Sequence, residues 1–343
     1  MDDLVIEEHV SLASHTTLKV GGTARYFMVA KTEQAVAEAV TFAEERHLPL
    51  FVLGAGSNVL ALDNEYPGVV VKIAITGIDS VVMSDTHAVV CTVGAGEDLD
   101  TLISHTVQAG WWGIENLTAI PSSVGAVPVQ NVGAYGVEAS QVVTMVRVYN
   151  RLSHSIDMLT HDECRFAYRD SIFKHPEGKH YIVLAVIFTL TTSAKPQLTY
   201  KDLAERFLDQ SPTLQEIRAA VVEIRADKFP DWKVVGTAGS FFKNPIVAND
   251  IALKLAETYP TLPIYEGGNE RTKKISLGFI LDKVCGLKGY RDGAVGLFEK
   301  QALVLTVTPY TTADAVVTFA HLIAEKVFVT TGIVIEWEVV VLQ

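Results

Sequence analysis

Apolar runs with strand character and amphipathic helical stretches succeed one another in no regular order along this chain. That irregularity predicts α+β domains and not a repeating β-α-β array. Two further observations agree. The 343 residues, 49% apolar and 20% charged, have the profile of a globular protein with length for two or three domains. The polar stretch 191–196 breaks the texture of the chain, so the main boundary is expected between Thr191 and Asp231.

The elements follow from periodicity. Within 32–46, Val36, Val40 and Ala43 recur at helical spacing and mark an amphipathic helix. Pro49 then precedes the apolar run 50–53, a buried strand. Strands are also expected at 69–73, 88–93, 142–150 and 181–190. A helix over 98–109 should stop at Gly110, because glycine readily takes the left-handed conformation that ends helices. Thr213 and Glu216 form a capping box for a helix running to about Asp227, with Ile217, Val221 and Ile224 on its core face. Later helices fall near 250–257, 276–284 and 312–328, and the chain closes on a strand at 333–342.

The formal net charge of -12 disfavours nucleic acid and anionic membranes as partners. A phosphorylated ligand needs either a local cluster of Lys and Arg or a nest of backbone N–H groups. Cys91, Cys164 and Cys285 are far apart and form no CxxC pair. No disulfide framework and no metal site is expected from them, and they suit a reducing compartment. The acidic start of the sequence lacks a leader pattern, and no apolar run is long enough to cross a bilayer. A cytoplasmic location is the expectation.

Three glycine-rich segments are candidates for ligand contact. Gly54-Ala55-Gly56-Ser57-Asn58 follows the strand at 50–53 and is either a tight turn or a phosphate nest. As a dinucleotide fingerprint it fails, because Val59 stands at the third glycine position and no helical pattern follows. Val93-Gly94-Ala95-Gly96 lies between a strand and a helix. Leu99 holds its third position, however, and Glu97, Asp98 and Asp100 repel a pyrophosphate, so it reads as a capped structural turn. The third segment, 120–136, is uncharged and dense in Gly, Ser, Asn and Gln. With Gly125, Gly133 and Gly136 it fits backbone laid against a large flat ligand, since a buried loop otherwise strands its own polar groups.

Beyond these loops, an ordered series of blocks resembles one family over nearly the whole chain. The blocks are Thr16-Thr-Leu-Lys-Val-Gly-Gly22, Leu53-Gly-Ala-Gly-Ser-Asn58, Gln130-Asn-Val-Gly-Ala-Tyr-Gly136, Cys164-Arg-Phe-Ala-Tyr-Arg-Asp-Ser171, Gly239-Ser-Phe-Phe-Lys-Asn-Pro245 and Gln301-Ala-Leu-Val-Leu305. They resemble the first type of the UDP-N-acetylenolpyruvoylglucosamine reductase (UDP-N-acetylmuramate dehydrogenase) family. The resemblance implies a vanillyl-alcohol-oxidase-type FAD-binding fold of two α+β subdomains, 1–72 and 73–225. A C-terminal α/β substrate-binding domain, 226–343, follows, with its last strand returning to the FAD side. It also implies non-covalent FAD, NADPH as co-substrate and a UDP-sugar substrate, in a monomeric cytoplasmic enzyme of peptidoglycan precursor synthesis. The reaction so implied reduces UDP-N-acetylglucosamine enolpyruvate to UDP-N-acetylmuramate.

Residue by residue, the resemblance assigns FAD contacts to Gly54, Ala55, Gly56, Ser57, Asn58, Ser123, Gly125, Gly133, Ala134, Tyr135 and Gly136. It assigns Ser240 as proton donor, Arg169 as the cation beside the developing enolate and Glu338 as the catalytic glutamate. Tyr200, Asn244, Lys274 and Gln301 match positions that hold the substrate, with Tyr200 on a loop that folds over it. A UDP pyrophosphate needs cations, and Arg225 and Lys228 sit three apart on one helix face to supply them, a solvated helix charge being the other reading of Arg225. Tyr168, beside Arg169, is placed with the substrate or packs the turn. Read without the family, Ser240 is a turn residue, Arg169 a partner for Asp170, and Glu338 a strand carboxylate indistinguishable by spacing from Glu336. Two positions depart from the pattern: Ser122 stands where glycine usually follows the proline, and Val340 where arginine usually follows acid–Val. A left-handed backbone at Ser122 would be strained. The alternatives are another FAD oxidoreductase of the same fold, or a flavin-binding protein without catalysis; the presence of Arg169, Ser240 and Glu338 argues against the second.

Overall fold

The computed structural model describes residues 4–343, in two compact units. The first takes the chain up to Val10, then Ala24–Gly56 and Pro67–Arg225; the second takes Ser11–Thr23, Ser57–Tyr66 and Ala226–Gln343.

Two large sheets make up most of the first unit. One has the strand order Ile6–Ser11, Thr23–Ala30, Tyr66–Ile73, Leu50–Leu53, the last pair being parallel. The helix Glu33–Glu45 starts where Thr32 accepts from Ala35 N–H at 3.0 Å, and it buries Val36, Ala39, Val40 and Ala43 in the core. The other sheet is antiparallel, in the order Ser155–Thr160, Val143–Asn150, Tyr181–Thr191, Ala88–Gly94, Ile78–Met83. Its central strand is buried over seven consecutive residues from Ile182 to Phe188, which explains an apolar run without alternation. Helix Leu99–Ala109 is capped by Asp98 and closed by Gly110 at φ 78°, as the sequence predicts.

The Gly94–Gly96 turn is structural. A Cβ at Gly96 would lie 2.4 Å from Ala74 Cα, and the Glu97 carboxylate accepts from Gly77 N–H at 3.1 Å. Close strand-to-turn packing accounts for these glycines. The capping box also forms: Thr213 N–H and hydroxyl donate to Glu216 at 2.8 and 2.9 Å, and helix Leu214–Lys228 follows, with Ile217 and Val221 fully buried.

The second unit has an antiparallel sheet in the order Gly236–Ser240, Val304–Val307, Val295–Leu297, Arg291–Asp292. A smaller sheet joins Ile246–Ala248, Thr272–Ile275 and Ile264–Glu266. Helix Ala313–Thr331 packs Val316, Phe319, Ala320, Ile323 and Val327 into this core and stops at Gly332. Asp63 receives both Ala313 N–H and Asp314 N–H, at 2.8 and 2.9 Å, satisfying two of the helix's orphan donors.

Three expectations need correction. The strand Leu50–Leu53, expected to be buried, buries only Leu53, and Val52 is 37% exposed. The terminal strand is only Val340–Leu342, paired in parallel with Val59–Ala61. Ile333, Ile335 and Val339 alternate because alternate residues are buried, although no ladder runs through them. The helix expected at 276–284 begins with Ser276 as its cap, but widens to a π-helix at Ile280–Val284, where Cys285 N–H reaches Ile280 O at 2.8 Å.

Candidate active site

In the first unit the 120–136 segment has more internal structure than a bare loop. It contains a short helix, Ala126–Gln130, and then a two-residue hairpin joining Gly133–Ala134 to Val137–Glu138. Tyr135 and Gly136 form its turn with φ 50° and 86°, the sign pattern of a type I′ turn. The tyrosine ring is buried and meets Tyr200 edge-on at 4.9 Å between centroids. A Cβ at Gly136 would lie 2.5 Å from Thr199 Oγ1, so glycine lets the Tyr200 segment come down on the hairpin. Asn116, fully buried and missed by sequence reasoning, ties the two together: its Nδ2 donates to Tyr135 O at 2.7 Å and to Gln197 O at 2.9 Å.

Polar groups around this segment lack protein partners. Ser123 Oγ and Gln130 Oε1 are buried without a hydrogen bond. Gly54 approaches so closely that a Cβ there would stand 2.3 Å from Ser123 Oγ. Gly56 has φ 69°, Ala55 is exposed, and a strand, Val59–Ala61, follows in place of a helix. Gly125 admits no side chain, since its Cβ would fall 2.7 Å from Ala95 Cβ. A buried hydroxyl donor at Ser123 and a buried amide acceptor at Gln130, next to backbone stripped of side chains, fit a large polar cofactor. Ser122 is not among the described residues with left-handed φ, so the strain anticipated there is absent; its hydroxyl donates to Ser123 O at 3.1 Å.

Arg169 sits on a tight turn in which Ala167 and Asp170 exchange backbone hydrogen bonds of 3.0 and 3.1 Å. Its φ is 53°, a left-handed conformation that costs an arginine about 1–2 kcal/mol. The guanidinium donates to Gly133 O at 2.8 Å and lies 5.9 Å from the Tyr168 ring centroid. The Asp170 carboxylate lies 2.8 Å from His175 Nε2 and accepts from Ser171 N–H at 2.9 Å. Asp170 therefore serves the turn and His175, not the bare ion pair with Arg169 considered from the sequence. Arg225 Nε donates to Ala119 O at 3.2 Å, and burial pulls its pKa down against the opposing influence of Tyr135. This arginine is half-buried beside the same segment, not a solvated helix charge.

In the second unit Ser240 ends the strand Gly236–Ser240, whose pairing with Val304–Val307 slips between Thr237 and Ser240. Gly239, at φ 71°, occupies the slip, so a bulge re-aims the serine. Phe241 and Phe242 anchor the segment in the core. Glu338 N–H donates to Phe241 O at 2.8 Å, which lays the glutamate's backbone alongside the serine's. Asn58 braces this arrangement, donating from Nδ2 to Glu338 O at 3.1 Å and accepting at its own carbonyl from Val340 N–H at 2.9 Å. The two acids that spacing could not separate differ here: Glu336 is exposed and lies 3.4 Å from Lys243, whereas Glu338 is partly buried.

The remaining candidates of this unit are more dispersed. Asn244 Oδ1 accepts from Leu277 N–H at 2.9 Å, so part of its amide caps a helix. Lys274 lies 5.7 Å from the Tyr265 ring centroid. Gln301 Oε1 turns back to Leu303 N–H at 3.4 Å. Lys228 is the last residue of helix Leu214–Lys228 and is half-exposed, as is Ser57.

This α+β chain has a polar cradle in one unit and a re-aimed serine beside a glutamate in the other, and comparison with known proteins places it in the flavoprotein class. Residues 24–154 match a family described as FAD binding domain. Residues 230–342 match UDP-N-acetylenolpyruvoylglucosamine reductase, C-terminal domain. The chain is 38% identical to the UDP-N-acetylenolpyruvoylglucosamine reductase of Ralstonia nicotianae, over 98% of this chain and 99% of that protein. It is also 38% identical to the enzyme of that name from Escherichia coli, over 92% and 91% of the two chains. A crystal structure of the UDP-N-acetylenolpyruvylglucosamine reductase of Thermus caldophilus shares the fold, with TM-score 0.70 at 24% identity over 99% of this chain and 100% of that one. The chain belongs to the UDP-N-acetylenolpyruvoylglucosamine reductase family, and the expected α+β fold with an FAD-binding part holds.

Proposed function

We propose that this protein reduces UDP-N-acetylglucosamine enolpyruvate to UDP-N-acetylmuramate with NADPH, through non-covalently bound FAD. The family relation across the full chain carries this reading. Ser123, Gln130 and the glycine backbones at Gly54, Gly125 and Gly133 would hold the FAD, with Ala55, Gly56, Ser57, Asn58, Ala134, Tyr135 and Gly136 completing its contacts. Bound FAD supplies the redox chemistry that links NADPH to the enolpyruvyl double bond.

The protein's own groups then have three tasks. A hydride delivered to C3 leaves negative charge at C2 and on the carboxylate. Arg169 stabilises that charge with its planar cationic fork, which binds carboxylates in a fixed orientation. Ser240 gives a proton to C2, and its weak acidity makes placement by the Gly239 bulge the main contribution. Glu338, beside it, hydrogen-bonds the same developing enolate. Tyr168, Tyr200, Arg225, Lys228, Asn244, Lys274 and Gln301 hold the UDP-sugar. The subdivision into 1–72, 73–225 and 226–343, a monomeric state and a cytoplasmic location belong to the same reading; no helix among the described residues is long and apolar enough to cross a membrane.

The test is direct. The purified protein should carry yellow flavin and oxidise NADPH faster when the enolpyruvyl sugar nucleotide is present. A protein that binds no FAD, or whose NADPH oxidation ignores that substrate, refutes the proposal.

A further inference from the structure

The turn that carries Arg169 holds a conformation that arginine does not choose for itself. Its φ of 53° falls at the third position of a four-residue turn, where glycine or asparagine is the usual occupant. Arginine persists there only if surrounding contacts over-determine the backbone. One of its contacts acts on its backbone: Lys174 Nζ donates to Arg169 O at 2.7 Å. That bond fixes the orientation of the peptide plane leaving Arg169, and so fixes where its side chain starts.

The lysine is in turn anchored to the hairpin segment that Arg169 touches. It ends the short helix Ile172–Lys174, directly after the fully buried Ser171. Ser171 Oγ donates to Val129 O at 2.7 Å, and the Arg169 guanidinium donates to Gly133 O at 2.8 Å. The connections form a ring: Val129 to Ser171, along the chain to Lys174, across to Arg169 O, and from its guanidinium to Gly133. Asn131, buried between them, closes it further by donating to Ala167 O at 2.9 Å.

We propose that Lys174 is a positioning residue for Arg169, holding the strained turn so that the guanidinium faces the substrate carboxylate. The proposal rests on the role given to Arg169 above. Lys174 touches neither reacting atom in this scheme; it acts by restricting the arginine. A displacement of about 1 Å at a catalytic group is enough for a large loss of rate, on the order of 100-fold.

The experiment uses the flavin-loaded enzyme and follows two half-reactions separately by stopped-flow flavin absorbance. Lys174→Met keeps the length of the chain and removes the charge and donors. It should slow flavin reoxidation by the enolpyruvyl substrate about tenfold or more, yet leave flavin reduction by NADPH within about twofold. Lys174→Arg should recover most of the lost rate. The double variant Arg169→Ala with Lys174→Met should be no slower than Arg169→Ala alone, because a residue acting only through another adds nothing once that other is gone. Equal slowing of both half-reactions, loss of bound flavin, or strictly additive losses would make Lys174 a general structural residue and overturn the proposal. If Arg169→Ala itself reoxidises at the wild-type rate, the role of Arg169 fails instead, and that outcome is distinct from an inert Lys174→Met beside a damaged Arg169→Ala.

Discussion

Replacing Ser123 with alanine should act on the apoprotein and on FAD binding in opposite directions. The residue is 5% exposed and its hydroxyl finds no protein partner. A buried hydroxyl left unsatisfied costs about 1–3 kcal/mol, so alanine should raise the stability of the apoprotein by about 1 kcal/mol once the small void is allowed for. If the hydroxyl is there for the cofactor, alanine removes a hydrogen bond worth about 1.5–3 kcal/mol to a charged acceptor. At 1.4 kcal/mol per decade that weakens FAD binding about ten- to a hundredfold. Urea denaturation of the apoprotein gives the first quantity and fluorescence titration with FAD the second. Gly54 supplies an internal control. Its added Cβ would press on Ser123 Oγ at 2.3 Å, but the next atom, Ser123 Cβ, is at an ordinary 3.5 Å. Gly54→Ala should therefore harm FAD binding in the wild-type background and much less in the Ser123→Ala background. An unchanged FAD affinity in Ser123→Ala, or additive effects of the two changes, would refute the reasoning.

Ser240→Ala should still accept reducing equivalents from NADPH while net reduction of the enolpyruvyl group stops; turnover near wild type would remove Ser240 as the donor. Arg225→Ala and Lys228→Ala, made singly, should raise KM for the sugar nucleotide more than they lower kcat, and steady-state kinetics showing the reverse would take them out of substrate binding. Glu115 is fully buried, and burial pushes its carboxyl above the usual range although Gly113 N–H donates to it at 2.7 Å. A raised native pKa means the folded chain binds that proton more tightly than the unfolded one, so this contribution to stability falls as pH rises through the ordinary carboxylate range toward the native value. Glu115→Gln keeps an acceptor for Gly113 and removes the charge. Its Tm should exceed wild type at about pH 8 and converge with it near about pH 4; a constant offset at both would show that charge is not the cause.

What the sequence revealed was mostly what local chemistry determines. Thr32, Asp98, Thr213, Ser276 and Thr312 each announce a helix start, because a side-chain oxygen must meet an orphan N–H within three residues. The long apolar run at 181–190, rich in β-branched residues, reads as a strand, and the structure makes it one. Strands of three residues, such as Ile246–Ala248 and Ile264–Glu266, are too short for any period to register. The end of the chain misled for a related reason: alternation reports burial, and Trp337 meets Phe242 through one isolated bridge without a ladder. At the candidate site the named blocks located the residues, yet their geometry came from features that no motif encodes. The Gly239 slip is set by pairing with a strand some 60 residues on, where Ser240 faces Val304. The buried Asn116 resembles any other polar residue until its two carbonyl partners, Tyr135 and Gln197, are seen.

The second unit is assembled from three stretches of chain, and this has a consequence in time. Leu18, Val20 and Leu60 belong to its core, but most of that core is contributed by residues beyond Ala226. The bond from Asn58 to Glu338 spans 280 residues. At a synthesis rate of about 5–20 residues per second, the early stretches wait roughly 15 to 60 seconds for the segment that completes them. Throughout that interval Leu18, Val20 and Leu60 are apolar side chains without most of their core neighbours, which lie between Ala238 and Val339.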